Sequence, residues 1–359
     1  MFNRKRLTVA RKRRRLTGKG LALKADLSQI TISRIENGEN SPDADTVKKI
    51  AKALNYPINF FCKDDPEDLD TSIISFRSLT KMSSKERDAA ISAGLLGLEL
   101  VDWVESQFNL PPVNLIDLSY ETDPEAAAKS LRQFWGLGEK PIGNLLALVE
   151  VNGIRVLSLS ENTASVDAFS FWKNEKPFIF LNNFKTPEHS VFDIAHELGH
   201  LVLHRHGGTK PTRETEREAN AFASAFLMPE SDVRARMSKF ITVDTIVLAK
   251  KRWRVSAMAM AHRLHKLKLL SDWQYKSTCI ELGKRGYRSS EPDGIEREKS
   301  KIWEKILTHL WSEKFTKSNI ADSLDIPLEE LEALIWGLTS KPLSRPTKNL
   351  ENNNIHIVE

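Results

Sequence analysis

A chain of 359 residues, 40% of them hydrophobic and 28% charged, is long enough for two or three folded units with at least one sizeable core. Nowhere do 18 apolar residues run together, which excludes a membrane-spanning helix. Two distant cysteines, Cys62 and Cys279, exclude a disulfide scaffold or a cysteine-held metal and read as buried thiols.

The net charge of +5 is uneven: residues 1–63 hold 15 Lys or Arg against 5 Asp or Glu, a balance of +10, so the rest of the chain carries −5. Basicity confined to one small N-terminal unit suits a phosphate-bearing partner, the plainer reading being a solvated basic face. The N-terminus, with Arg4, Lys5, Arg6 and the run Arg11–Arg15, lacks the apolar stretch of a signal peptide, so the expected location is cytoplasmic.

Residues 3–55 are predicted as short helices whose apolar set includes Leu7, Leu21, Ile32, Ile35, Ile50 and Leu54. A charged, proline-containing hinge follows at 63–68, and a capping box at Ser83 and Glu86 opens a helix that Pro111–Pro112 has stopped. Another helix starts at Asp123–Pro124. From 153 to 181 the texture changes to short β-prone runs, 154–159, 168–172 and 178–181, which predict a small sheet. Helix returns from Pro187 to about His206, from Glu214 to Leu227, and in amphipathic segments through 231–336; Thr316–Leu338 has the rhythm of a second helix-turn-helix, which bundle packing explains equally well. The expected fold class is mainly α with a small β-sheet (α+β). Its expected parts are a helix-turn-helix domain over 1–65, a helical connector over 66–118, a metal domain over 119–285, a helical region over 286–340 and a disordered tail over 341–359.

Within the basic unit, the stretch from Leu27 to Gly38 starts at a serine cap, buries Ile32 and Ile35 on one side and stops at Asn37–Gly38. Its other face is polar and able to read base edges in a major groove. The order of residues over 3–60 resembles the phage-repressor and Cro-like (XRE) family of helix-turn-helix proteins. That resemblance implies Gln29, Ile30, Ser33 and Arg34 at the groove, Asn37 near phosphate, and a structural pair between Arg11 and Glu36. The sequence departs from the family at Gly18-Lys19-Gly20, where the second helix usually opens on a glutamine and good helix formers. The plainer reading of the unit is a helical module kept for protein contacts.

His196-Glu197-Leu198-Gly199-His200 carries the second signal. Two imidazoles four residues apart lie on one helical face and can grip one metal ion, with a carboxylate beside them. Held there, Glu197 can take a proton from water and later deliver it to a leaving amine, the chemistry of amide hydrolysis without a covalent intermediate. Lone helical histidines are more often structural, but the carboxylate-rich run from Glu216 to Ala223 puts a third ligand at hand past the Gly207–Gly208 break. Glu216 is favoured, Glu218 is the runner-up, and Glu214 or His204 remain open. Asn220, one turn beyond Glu216, could orient a histidine ring from outside the ligand set. His204 reads as a supporting or packing residue, and His189 and His206 as surface or cap histidines. Zn2+ is the default ion, although manganese or iron also suits a His/His/Glu set.

Phe192 to His204, Glu216-x-Glu218-Ala219-Asn220-x-Phe222-Ala223 and Leu227-Met228-Pro229 together resemble the ImmA/IrrE metallopeptidases, with coverage from about 120 to 285. The runs 153–157, 166–170, 252–256 and 262–264 are similar to that family's flanking pattern. The resemblance implies a zincin fold and cleavage of an XRE-type repressor, whereas spacing alone gives a metal-dependent hydrolase. The expected partners are double-stranded DNA, a protein substrate of the repressor type and, as an option, a second copy in a homodimer, with no membrane. An extended substrate would pair with a strand among 153–181. The competing reading is a DNA-binding repressor or antitoxin-like regulator whose metal domain senses a signal or partner with little proteolysis.

Overall fold

The computed structural model describes residues 1–67, 75–76 (by their backbone), 83–159, 168–205 and 212–339. Outside the described residues lie the expected disordered tail from Lys341, the Gly207–Gly208 break, His206, and Val166 and Asp167.

Four helices open the chain: α1 (Arg4–Arg13), α2 (Gly18–Ala25), α3 (Gln29–Asn37) and α4 (Ala44–Leu54). Each starts at a side-chain cap, from Asn3, Thr17, Ser28 and Asp43 in turn, which satisfies amide donors that a helix start leaves open. Thr17 accepts from Gly20 N, so the glycine-rich start of α2 is held by its cap rather than by helix propensity. α3 ends at Gly38, whose φ of 79° a side chain would resist. Leu7, Leu21, Ile32, Ile50 and Leu54 form the core with Phe60 and Phe61 from the 3-10 turn Ile58–Cys62. Cys62, expected to be buried, is exposed, because its two aromatic neighbours take the inward positions of that turn; Cys279 is half-buried. Arg11 and Glu36 pair in a fork at 2.7 and 3.1 Å and so join α1 to α3.

The next elements are β1 (Ser75–Phe76), α5 (Ser84–Gln107), α6 (Pro124–Phe134), α7 (Leu145–Val151), β2 (Arg155–Leu159), β3 (Ala168–Lys173) and β4 (Lys176–Asn182). The sheet order is β1-β3-β4-β2, with β2 parallel to β4 and the other pairs antiparallel. Asn174 and Glu175 join β3 to β4 at φ of 50° and 59°, the two positive values of a type I′ turn, whose twist matches paired strands. α5 lies within the 66–118 stretch and packs on the sheet. A Cβ on its Gly97 would stand 2.7 Å from the Phe180 ring and 2.8 Å from Leu157, so the missing side chain is what allows that approach.

Helices complete the chain: α8 (Pro187–Leu203), α9 (Arg213–Leu227), α10 (Glu230–Arg236), α11 (Val243–Trp253), α12 (Ala257–Lys266), α13 (Asp272–Lys284), α14 (Lys301–Ser312), α15 (Lys317–Ser323) and α16 (Leu328–Ile335). The chain is mainly α with one small sheet, and α8 is buried between that sheet and α9. The second helix-turn-helix rhythm belongs to α15 and α16, and α16 serves packing on both sides. Buried Glu330 pairs with Arg13 at 2.7 Å and Arg14 at 2.8 Å, while Trp336 stacks on Phe184 at 4.4 Å and its carbonyl accepts from Asn183. Glu99 of α5 binds Arg6 and, at 3.0 Å, Lys63 of the same N-terminal domain, and Lys63 also donates to the Leu324 carbonyl at 3.0 Å.

Candidate metal centre and DNA-reading helix

α8 starts at a Thr186 cap with Pro187 in its first turn, and most of its length is buried. Its buried side chains include His196 and Glu197, both 0% exposed, and His200 at 6%. Gly199 lets α9 come close, since a Cβ there would meet Phe222 at 3.0 Å and the Ala219 backbone at 3.3 Å. Ala219, Phe222, Ala223 and Phe226 turn the apolar face of α9 inward, and this rotation carries Glu216 over the two histidines.

The Nε2 atoms of His196 and His200 are 3.1 Å apart; Glu216 Oε2 is 3.3 Å from the first and its Oε1 is 3.4 Å from the second. A tetrahedral site with bonds of about 2.0–2.1 Å has edges of about 3.3–3.4 Å, so the three residues present one face of such a site. Glu216 Oε1 is buried and receives no well-formed hydrogen bond. Burial alone would raise the Glu216 carboxyl, but the imidazoles of His196 and His200 beside it hold it well below the usual carboxylate range. An ionised carboxylate beside two imidazole nitrogens is a donor set that suits a divalent cation.

Around His196, His200 and Glu216 the contacts are specific. Ser170 Oγ on β3 donates to Glu197 Oε2 at 2.6 Å. His200 Nδ1 meets His204 Nδ1 at 3.0 Å, and His204 Nε2 meets Glu218 Oε2 at 2.9 Å, so a carboxylate and a second ring stand behind the His200 ring. Burial lowers the His204 imidazole against the opposing pull of Glu218. Glu218, the runner-up ligand, thus sits on His204 and outside the cluster, and Glu214 lies on the exposed face of α9 against Arg217. Asn220 does not orient a histidine. Its Nδ2 donates to the Glu216 backbone carbonyl at 2.7 Å, since an amide four residues on along a helix reaches that carbonyl first. Ser170 was missed as a site residue, although a hydroxyl among the aromatics of a buried strand signals a partner across the core.

A cavity of about 830 Å³ opens beside Glu216, with Phe192, Asn220, Ser256, Met258 and His262 in its walls. His189, expected at the surface or a cap, also lines it and stands 3.5 Å from Thr186 Oγ1. Burial, then nearby Lys266, lowers the His262 imidazole.

On the N-terminal domain, Gln29, Ile30, Ser33, Arg34 and Asn37 all lie on the exposed side of α3, opposite buried Ile32 and Ile35. Ile30 is 63% exposed, an apolar side chain available for contact on an otherwise polar face. The Asn37 carbonyl is bound by Arg4 at 2.5 Å, which ties the end of α3 to the start of α1.

No helix among the described residues is long and apolar enough to cross a membrane. No curated protein matches the chain. Residues 149–265 match the peptidase M78 family, described as the IrrE N-terminal-like domain, a span that holds the whole cluster from Ser170 to Asn220. Residues 9–61 match a helix-turn-helix family. The chain therefore carries an XRE-like helix-turn-helix DNA-binding domain and an IrrE-type, peptidase-like domain in one polypeptide, the make-up of a regulator and the fusion that the sequence resemblance implied.

Proposed function

We propose that this chain is a DNA-binding transcriptional regulator whose second domain is a zinc-dependent endopeptidase, acting on an XRE-type repressor to relieve repression. The observation that carries the reading is the convergence of His196, His200 and Glu216 at 3.1–3.4 Å with Glu197 buried on the next turn position and held by Ser170. His196, His200 and Glu216 would hold the ion. When bound, it supplies Lewis acidity toward a peptide carbonyl and toward water. Glu197 takes a proton from the attacking water and returns it to the leaving amine. Glu218 and His204 keep the His200 ring in place. The cavity beside Glu216 receives the substrate side chains that flank the scissile bond.

On DNA, Gln29, Ile30, Ser33 and Arg34 face the groove and Asn37 the phosphates. Joining both domains in one chain raises the local concentration of a repressor bound at the same operator, which favours that protein over bulk protein.

The deciding experiment compares Glu197→Gln with the parent chain against the XRE-type repressor encoded nearest to it, with and without a chelator. The variant should keep its metal, keep its DNA affinity and lose cleavage by about 10²-fold or more. Cleavage unchanged in the variant or in chelator would sink the peptidase reading. A parent chain that binds metal and DNA but cuts nothing would leave the sensor reading in its place.

A further inference from the structure

A peptidase of this kind must lay an extended peptide alongside Glu197, and extended peptides dock by adding a strand to a sheet edge. One edge of the sheet is closed: the outward Val156 carbonyl of β2 accepts from the Trp303 indole at 3.1 Å, and α16 packs on the same strand. The strand beside the metal cluster is β3. Its Ser170 holds Glu197, and its Trp172 indole donates to the Leu201 carbonyl, one residue past His200. The outer edge of β3 is therefore where a peptide backbone would run past the cluster.

That edge is occupied by the chain itself. Ser75 pairs with Ser170 and Phe76 with Phe169, antiparallel. Glu67 contacts Lys173 at 3.2 Å, at the other end of β3, the end where antiparallel pairing places a residue that precedes β1. We propose that β1, part of the segment joining the DNA-binding domain to the metal domain, occupies the backbone position of an extended substrate and competes with it in cis. The pairing stands on the geometry alone; its inhibitory consequence rests on the peptidase reading. β3 is six residues long and the described pairing covers two of them. A substrate that pairs along the whole strand displaces the resident residues, whereas a peptide that matches only two positions loses to a tethered rival at an effective concentration on the order of millimolar. The segment thus filters substrates by the length of strand they can form.

The test uses the full chain, a Ser75→Pro/Phe76→Pro variant, whose prolines remove both amide donors, and a second variant in which residues 70–80 are replaced by a glycine–serine stretch of equal length. The probes are hydrogen exchange over residues 168–173 and binding of a synthetic peptide with the sequence of residues 70–80. Both variants should exchange roughly tenfold faster in β3 and bind the peptide at least about tenfold more tightly than the parent. Equal peptide binding by parent and variants overturns the proposal whatever the exchange shows, and so does unchanged exchange in both variants. Neither readout needs turnover, so an inactive parent chain would remove the peptidase reading without touching this result.

Discussion

Ser170 donates its hydroxyl to Glu197 at 2.6 Å across the gap between β3 and α8, so the sheet holds the carboxylate that α8 presents. The two residues are 27 positions apart and belong to different elements.

Removing that hydroxyl should expose its part in the chemistry. Ser170→Ala should lower kcat about tenfold, the effect of one hydrogen bond to a charged group, with KM and bound metal unchanged. Steady-state kinetics with metal analysis of the same sample checks this; a change in KM alone would mean that Ser170 serves substrate binding.

The Glu218–His204–His200 chain should act on the ion and not on the fold. Glu218→Ala leaves the His204 ring without its carboxylate, and metal affinity should fall about 10–100-fold, as measured by competition with a chelator. The melting temperature of the metal-free protein should stay within a few degrees of the parent.

Glu330 is 2% exposed and answers two arginines, so Glu330→Ala should destabilise by about 3 kcal/mol by leaving their charges half-buried and uncompensated. Neighbouring Glu329, exposed and paired only with Arg14 among the arginines, should give about 0.5 kcal/mol or less when changed to Ala. Thermal melts and hydrogen exchange over α1 would show both; equal effects from the two substitutions would refute the assignment.

Burial raises the Glu150 carboxyl to about 7, against hydrogen bonds from Ser300 and the Ile302 and Lys301 amides. The folded chain therefore keeps this proton while the unfolded chain, with an ordinary carboxyl near 4.5, releases it. Stability from this group is full below pH about 4.5, falls as pH rises toward about 7, and the loss levels off above that, at a total of about 3 kcal/mol. Glu150→Gln should flatten that slope, so that the difference in melting temperature between parent and variant changes from pH 5 to pH 8; a constant difference would refute it.

What could be read from the sequence follows the reach of local geometry. The spacing of His196 and His200 converts directly into one helical face, and Ser28 with Gly38 bounds α3 through caps that need no distant partner. The choice between Glu216 and Glu218 was harder, because two residues on a helix point to nearly opposite sides and the answer depends on how α9 is rotated. That rotation comes from Phe222 and Ala219 packing on Gly199, a contact between helices. Ser170 was hidden because its partner is a strand-to-helix neighbour, and Glu330 because Arg13 stands 317 residues earlier. β1 is too short, and too dependent on β3, to leave a pattern of its own.

The clamp formed by α16 has a consequence for biosynthesis. The N-terminal domain leaves the ribosome first, yet its seat at Glu330 is translated only after every other element described. Until then α5, through Glu99, ties the nascent head to the rest of the chain, and a product terminated before α16 would lack the anchor at Glu330.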